Sequence, residues 1–325
     1  MNQSVTIHYD PRLVEEAVFH AWRDSYISRD LEERRGRIYE VADTDERERL
    51  FDDLNLSWFA RLGLGKTIDE ALREQTIITP LVASCYIVRA TQAREEGAEL
   101  FVAVDRALEE NRRRTLRILI RPESLLRPES LLTFLRHELL HISDMLDPAF
   151  AYEPTLPKAE GGPTYDGLIT NRYRVLWDVT INGRMVRRGW LPALARGQQL
   201  REFRQAFFML EERREEYFSR FFGADQPKHR ELAAFALDPR AAAGGLAGKA
   251  PPGSHCPLCK FPSHSFEPEA ENLGADLLAA ISQDFPQWKP ALGLCAQCAD
   301  LYRASQLSMA AAKALPGWNP RPSNA

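Results

Sequence analysis

The stretch RPESLLTFLRHELLHISDM, residues 127–145, decides how the centre of this chain folds. Its apolar residues recur at the three- and four-residue spacing of an amphipathic helix. Pro128 suits the first helical turn, because the N–H that proline lacks would have no partner there, and Glu129 complements the positive end of the helix dipole. We therefore predict a helix from about Pro128 to Met145 that stops before Pro148.

Two histidines lie on one face of this predicted helix. At 3.6 residues per turn, His137 and His141 stand one above the other, with Glu138 beside them. Two imidazoles so placed can hold a metal ion, and the neighbouring carboxylate can take a proton from water that zinc activates. The pattern predicts a catalytic zinc site with His137 and His141 as ligands and Glu138 as general base.

A catalytic zinc ion needs a third protein ligand, and one candidate follows the helix directly. Asp147 comes ten residues after His137, where metzincins have their third ligand. That pattern also has a glycine, which allows a sharp turn, where this chain has Asp144. Asp147 is therefore kept as the alternative third ligand.

The other candidate lies in residues 167–188, a segment apolar enough to be a buried helix. A polar stripe runs along this helix and consists of Asn171, Arg174, Asp178 and Asn182. A buried acid needs a partner, and a metal ion would supply one for Asp178, with Asn182 and Asp144 holding the ligands in place. An ion pair of Asp178 with Arg174 or Arg184 is the alternative.

Four of the five cysteines form two Cys-x-x-Cys pairs near the end of the sequence. The pairs are Cys256/Cys259 and Cys295/Cys298, and they predict a structural zinc ion with four thiolates in a zinc-ribbon or treble-clef-like module. His255 and His264 are near enough in sequence to substitute as ligands. The remaining thiol, Cys85, is predicted to be a small buried apolar side chain.

Changes of pattern along the chain suggest four regions. Residues 1–76 are predicted to be helical, 77–237 to form the catalytic domain with a helical extension, 238–254 to be a flexible linker, and 255–315 to hold the cysteine module and a terminal helix. Three runs rich in Val, Ile, Leu, Phe and Tyr predict strands, namely Ser84–Ala90, Glu99–Val104 and Thr115–Arg121.

The two central motifs also resemble those of a known family. His137-Glu138-x-x-His141, followed by Trp177-Asp178-x-x-Ile181-Asn182-Gly183, is similar to the zincin-fold metallopeptidase domains that often occur beside von Willebrand A-type proteins. The resemblance covers roughly residues 80–190. It implies an α+β, zincin-like fold with a small mixed sheet stacked on the metal-binding helix, and Asp178 as the third ligand.

The resemblance also implies an activity. The chain would hydrolyse an amide bond of a protein or peptide substrate with zinc-activated water, with Glu138 as base and then as acid to the leaving amine. Thr115–Arg121 would lie near the cleft as an edge strand that an extended peptide can join. Tyr165, Tyr173 and Arg172 are unranked candidates for stabilising the oxyanion.

Two other functions stay open at this stage. The chain could be an adaptor that binds a protein partner through its zinc ribbon, on an inactive zincin scaffold. SprT-like proteases, which act on DNA-bound proteins, also join such a helix to a zinc ribbon. Their third histidine follows soon after the motif, whereas no histidine occurs here between His141 and His229.

Composition limits the classes of partner. The 325 residues are 44% hydrophobic, enough for a substantial core. A formal net charge of −4 gives no overall attraction to nucleic acid or an anionic membrane, so a nucleic-acid partner would need a local basic patch. Residues 1–10 lack signal-peptide features and no apolar run is long enough to span a bilayer, which predicts a cytoplasmic protein without a membrane partner.

Overall fold

The computed structural model of the chain describes residues 5–23, 29–104, 109, 111–157, 163–239, 254–263, 265–267 and 270–314, with the backbone alone for 29, 163–165, 211 and 306–314. The strands are β1 Thr6–Tyr9, β2 Ser84–Arg89, β3 Gly97–Val102 and β4 Arg114–Ile120. The helices are α1 Pro11–Arg23, α2 Arg29–Tyr39, α3 Thr44–Leu62, α4 Lys66–Arg73, α5 Ile78–Leu81, α6 Pro128–Leu146, α7 Pro163–Arg187, α8 Ala195–Ala206, α9 Arg214–Phe222, α10 His229–Leu237, α11 Ala275–Asp284 and α12 Ala296–Ala314.

The four strands form one mixed sheet in the order β1-β2-β4-β3. β1, β2 and β4 run parallel, and β3 is antiparallel to β4, with Ala98 opposite Ile118. The prediction that Thr115–Arg121 forms an edge strand is therefore wrong, because β4 is paired on both sides. Within the described residues β3 pairs with β4 alone, so β3 is the edge strand on that side.

One face of the sheet packs against helices and forms one side of the main hydrophobic core. Cys85, Ile87, Leu116, Ile118 and Ile120 alternate along β2 and β4 and are fully buried. Helix residues cover them, among them Leu13 of α1, Ile68 of α4, and Leu135 and Leu139 of α6. This alternation is the period-2 pattern of a strand with one buried face. Burial of Cys85 agrees with its prediction as a small apolar side chain.

The described residues before 77 include a strand as well as helices, and several of them belong to this same core. β1 pairs with β2 in parallel, with Ile7 opposite Cys85. Helices α1, α3 and α4 supply Val14, Trp58 and Leu72 to the core that the sheet and α6 share. The strand β1 departs from the predicted helical content of this region, since a four-residue strand gives too short a pattern to be recognised beside strong helical periodicity. The predicted domain boundary at residue 76 stays a prediction.

The two helices that matter most for the site agree with their predictions. α6 runs from Pro128 to Leu146, with the proline in its first turn, and ends one residue later than predicted. α7 runs from Pro163 to Arg187 and covers the predicted helix 167–188 except for its last residue. In its second half Thr180, Ile181 and Asn182 are buried.

The chain divides into two compact units. The first consists of residues 1–152, 178–199 and 219–229 and contains the sheet and α6. The second consists of 153–177, 200–218 and 230–325. Its aromatic residues include Phe203 and Phe207, whose rings stack with centroids 4.6 Å apart. Its C-terminal part has a small core of its own that includes Ile281, Trp288 and Leu294.

Together these elements make a mixed α+β protein with a small four-stranded sheet, as the sequence predicted in outline. None of the helices within the described residues is both long and apolar enough to cross a membrane. Residues 240–253, most of the predicted linker 238–254, lie outside the described residues.

Candidate metal centres and catalytic carboxylate

His137, His141 and Asp178 converge in space, and their potential ligand atoms all lie within 4.8 Å of one another. Asp178 Oδ1 is 3.1 Å from His141 Nε2 and 3.8 Å from His137 Nε2. Metal–ligand bonds of about 2.0–2.1 Å in tetrahedral geometry separate neighbouring ligand atoms by about 3.3 Å. The three side chains therefore fit around one zinc-sized ion with little rearrangement.

Local structure explains this convergence. His137 and His141 are four residues apart on α6, and their ring centroids are 4.9 Å apart. Asp178 lies near the middle of α7, the second helix that reaches the site. The three side chains are between 17 and 25% exposed, so the group is partly shielded yet reachable by solvent.

Glu138 is fixed by two contacts next to this group. One carboxylate oxygen lies 3.2 Å from His137 Nδ1, and the other accepts a hydrogen bond from the Ala98 N–H at 3.2 Å. Burial by itself raises the pKa of Glu138, but the hydrogen bond and charge of His137, the charge of His141 and the Ala98 N–H outweigh it. The pKa of Glu138 is therefore lowered, and the carboxylate is ionised at neutral pH.

Asp147, the alternative third ligand, is not part of the group that the structure brings together. It is the residue that ends α6, and its Oδ1 accepts a hydrogen bond from the Ala149 N–H at 2.8 Å. Because α6 ends here in an extended conformation, the Asp147 side chain caps the following turn. The structure places Asp178 beside the histidines and gives Asp147 a local role.

The predicted ion pair of Asp178 with an arginine is also not formed. Arg184 contacts Asp144 on α6, and Arg174 contacts the exposed Asn171. The polar stripe predicted along α7 is therefore divided between surface residues and residues that face α6. Asp178 instead approaches the two imidazoles.

The two residues predicted to support the ligands are both buried. Asp144 receives two hydrogen bonds from the guanidinium of Arg184, at 2.7 and 2.6 Å. Asn182 is 7% exposed and lies one helical turn after Asp178. A supporting role for either residue stays a prediction. The partner of Asp144 is Arg184, which the sequence suggested as an alternative partner of Asp178.

The three candidates for oxyanion stabilisation differ in what the structure describes. Arg172 and Tyr173 are buried in the second unit, where the Tyr173 ring packs edge-on against Trp177 at 5.5 Å. The side chain of Tyr165 lies outside the described residues. Their predicted role stays untested.

The four cysteines of the C-terminal pairs form a second donor group. Cys256 Sγ and Cys298 Sγ are 3.9 Å apart, as are Cys259 Sγ and Cys295 Sγ. A disulfide would need about 2.05 Å, whereas zinc–sulfur bonds of about 2.3 Å in tetrahedral geometry separate the sulfurs by about 3.8 Å. The spacing therefore fits a metal ion held by four thiolates.

Backbone amides point at these sulfurs, as a thiolate requires. The Cys295 N–H lies 3.3 Å from Cys256 Sγ, and the Cys298 N–H lies 3.4 Å from Cys295 Sγ. Burial raises the pKa of Cys256, but N–H groups of Cys295, Cys259 and Leu258 outweigh this effect and lower the pKa to about 7. Burial is the main cause that raises the pKa of Cys298.

The two histidines considered as substitute ligands do not enter this group as described. The four cysteines form it by themselves. His255 instead makes a backbone bridge with Pro262, and His264 lies outside the described residues.

Sequence reasoning missed two contacts at the site. The bond between Glu138 and the Ala98 N–H joins residues 40 positions apart, and the pair of Asp144 and Arg184 joins residues 40 positions apart. The spacing of charges along one helix carries no signal for a partner on another helix. Comparisons with protein-family models, curated proteins and solved structures found no match to this chain.

Proposed function

We propose that this protein is a zinc-dependent metallopeptidase of zincin-like fold. The observation that carries the proposal is the position of Glu138, which lies beside the group formed by His137, His141 and Asp178 and is bonded to the edge strand β3. A purely structural metal site has no need of an additional carboxylate beside its ligands. A hydrolytic site needs one to move protons.

His137, His141 and Asp178 are the proposed zinc ligands, and an open fourth position is the hallmark of a catalytic rather than a structural zinc site. When bound, zinc would polarise a carbonyl and make water more acidic. Glu138 would accept a proton from the attacking water and then deliver it to the leaving amine. Its lowered pKa favours the ionised form that a base needs at neutral pH.

The substrate is proposed to be an extended polypeptide because of the open edge of β3. The ladder with β4 uses backbone groups of odd-numbered residues, as the Ala103 N–H bond to the Arg113 carbonyl shows. The N–H and C=O groups of the even-numbered residues Ala98, Leu100 and Val102 therefore point away from β4. Because the Ala98 N–H is already hydrogen-bonded to Glu138, an added strand would pair with the backbone groups of Leu100 and Val102 and continue beside Glu138.

The cysteine group is proposed to hold a structural zinc ion. Three of its four cysteines are buried in the small core of the C-terminal module. With all four positions filled by thiolates, the ion would supply folding energy rather than chemistry. The module is the proposed attachment point for a protein partner. Its four cysteines follow the proposed catalytic residues in the sequence, and the two donor groups share no residue.

The third ligand favours this reading over an SprT-like protease. In this chain a carboxylate, that of Asp178, completes the donor group, and the sequence has no histidine between His141 and His229. An adaptor function on an inactive scaffold makes a different prediction, since it does not require Glu138 for any activity.

Metal content and peptide cleavage together test the proposal. The two donor groups predict two zinc ions per parent chain, and a chain with His137→Ala and His141→Ala should retain one. Glu138→Gln should retain both ions but lose cleavage of a denatured, fluorescently labelled protein. His8→Ala is the matched control, because His8 is an exposed histidine that stacks on Tyr86 in β2.

Three results would overturn the proposal. One zinc ion per chain in both the parent and the double variant would leave the cysteines as the metal site and remove the catalytic centre. Equal turnover by the parent and Glu138→Gln would remove the assigned base. A parent that holds two ions but cleaves none of a panel of unfolded proteins would favour the adaptor function.

A further inference from the structure

A buried ion pair joins the two helices that carry the proposed metal ligands. Arg184 of α7 donates two hydrogen bonds to Asp144 of α6, from Nη1 to Oδ1 at 2.7 Å and from Nη2 to Oδ2 at 2.6 Å. The two side chains are 10% and 6% exposed. This is the two-pronged geometry in which arginine binds a carboxylate most specifically.

The ion pair lies along the same helix–helix contact as the metal ligands. Asp144 follows His137 by seven residues, so both side chains leave α6 on nearly the same face, with His141 between them. Arg184 follows Asp178 by six residues on α7. Six residues place Arg184 about 120° around α7 from Asp178, yet both side chains reach α6, where Asp178 approaches His141 and Arg184 binds Asp144. The ligands and the ion pair are therefore two contacts between the same two helices.

The guanidinium of Arg184 is also tied to its own helix. Its Nε lies 3.4 Å from the carbonyl oxygen of Thr180, two residues after Asp178. The fork is thereby held in a fixed direction relative to the backbone that carries Asp178. A shift or rotation of α7 along α6 would break both hydrogen bonds to Asp144, because a two-pronged contact tolerates little displacement.

A buried ion pair is a weak source of stability, which makes a geometric role the better explanation. Removing two charges from water costs about as much as their attraction returns, and apolar replacements of similar size are often equally stable or more so. The pair does, however, restrict the two helices to one alignment. That alignment is the one in which Asp178 Oδ1 lies 3.1 Å from His141 Nε2.

We propose that Asp144 and Arg184 are positioning residues that set the affinity of the His137, His141 and Asp178 centre for its metal ion. This inference rests on the proposed function, because it assumes that these three residues bind metal. The pair holds α7 in the register that brings the Asp178 carboxylate to both imidazoles. Residues that orient metal ligands typically change metal affinity by about 10–100-fold when they are replaced.

The test measures Zn²⁺ affinity directly, by competition with a chromophoric chelator on the full chain. Asp144→Asn and Arg184→Gln each remove one charge, and the double variant with Asp144→Leu and Arg184→Met replaces the pair by apolar side chains of similar length. Each of these three variants should bind Zn²⁺ about 10–100-fold more weakly at the His137, His141 and Asp178 site. The affinity of the cysteine site should stay unchanged. Glu16→Gln is the control, because it breaks the half-buried Glu16–Arg89 pair elsewhere in the first unit.

The double variant separates positioning from stability. We expect it to unfold in urea at least as late as either single variant, because it leaves no buried charge without a partner, yet to bind zinc as weakly as they do. Parent-like zinc affinity in the folded double variant would overturn the inference and show that the pair is only structural. Replacement of zinc by cobalt adds a second measurement. The visible absorption of cobalt bound by His137, His141 and Asp178 should change if the geometry of these ligands changes.

The outcome for the parent chain distinguishes this inference from the proposed function. If the parent binds one zinc ion, at the cysteines, both proposals fail. If the parent binds two ions and the Asp144 and Arg184 variants keep full affinity, the positioning role alone fails. If affinity falls as expected but the parent cleaves no peptide, the positioning role stands and the peptidase activity fails.

Discussion

Glu138 Oε2 accepts a hydrogen bond from the Ala98 N–H at 3.2 Å, which joins the carboxylate on α6 to the outward edge of β3. The Ala98 amide is free to do so because it points away from β4, the neighbouring strand. Burial is the largest single influence on the pKa of Glu138 and raises it. The contributions of His137, of His141 and of this hydrogen bond together outweigh burial, so the pKa is lowered. The edge strand thus orients the proposed base and contributes to its lowered pKa.

Ala98→Pro tests this contact without breaking the sheet. Proline at this position removes the N–H that Glu138 uses, whereas the bonds of β3 to β4 come from its neighbours, as is tolerated on an edge strand. A hydrogen bond to a charged group contributes roughly 1.5–3 kcal/mol, so cleavage should fall roughly tenfold or more while both zinc ions are retained. The measurement is turnover of a denatured protein beside the metal content.

Gly97→Ala is the matched control for that change. A Cβ atom built on Gly97 would lie 3.7 Å from Glu138 Oε2, an ordinary van der Waals distance, and the Gly97 backbone bonds are kept. Activity should stay near that of the parent. Equal losses in Ala98→Pro and Gly97→Ala would mean that crowding of the strand, rather than the missing N–H, impairs the site.

Removal of the cysteine metal site should unfold the C-terminal module alone. Cys295→Ser with Cys298→Ser deletes two donors that are also buried members of the module core, beside Trp288 and Leu294. A structural zinc ion contributes folding energy directly, so its loss should expose this core. We expect the zinc content to fall by one and limited proteolysis to cut residues 254–314 first.

Cys85→Ala provides the comparison for the cysteine variants. Cys85 is fully buried in β2, and burial raises the pKa of its thiol to about 12, which leaves it unreactive. This change should leave the zinc content and the proteolysis pattern unaltered. A loss of zinc in Cys85→Ala would refute the assignment of the second metal to the four C-terminal cysteines.

Local sequence patterns predicted the elements of the fold well where the elements are long. α6 was predicted to within one residue, because Pro128 marks its start and its apolar residues follow the helical period. The four-residue strand β1 was missed, because it is stabilised by pairing with β2 rather than by its own pattern. β3 begins at Gly97, two residues earlier than predicted, since Gly97 and Ala98 have low strand propensity and are held by β4.

The order of strands and the partners of charged residues were not predictable in the same way. The alternation of Leu116, Ile118 and Ile120 is the same for an edge strand and a central strand, so it does not indicate the position of β4, which the family resemblance implied to be at the edge. Arg184 was offered as a partner of Asp178 because both lie on one helix. The structure pairs Arg184 with Asp144 on α6, a contact that depends on how two helices pack.

The ionised form of Glu96 should make the protein more stable at neutral than at acidic pH. Burial raises the pKa of Glu96, but hydrogen bonds from the Ser124 hydroxyl and from the main chain and side chain of Arg121 lower it by more. Because the folded-state pKa is lowered, this stabilisation is complete above the unfolded-state pKa and is lost as the pH falls through the folded-state value.

Urea unfolding at several pH values checks this effect. Glu96→Gln should lower the free energy of unfolding at neutral pH, and the difference from the parent should shrink as the pH falls. Ser124→Ala removes one of the donors to Glu96 Oε1, so it should produce a smaller change of the same sign. A parent-to-variant difference that does not vary with pH would contradict the assignment.

Gly183 is required because α7 packs against the end of α9 without space for a side chain. A Cβ atom on Gly183 would lie 1.9 Å from the carbonyl oxygen of Phe222, closer than any real contact. Arg187 holds the same segment, since its Nη1 donates a hydrogen bond to that carbonyl at 2.5 Å. Gly183→Ala should therefore force α7 away from this position.

Gly183→Ala and Gly167→Ala replace the same residue type on α7 but should change the free energy of unfolding in opposite directions. Within a helix, alanine is favoured over glycine by roughly 0.8–1 kcal/mol, and Gly167→Ala on α7 meets no atom within 4 Å, so it should stabilise the protein. Gly183→Ala should destabilise it by about 1–3 kcal/mol through overpacking and weaken zinc binding at Asp178. Urea unfolding of the two variants decides the point, since stabilisation by both would show that α7 can move away from Phe222 at little cost.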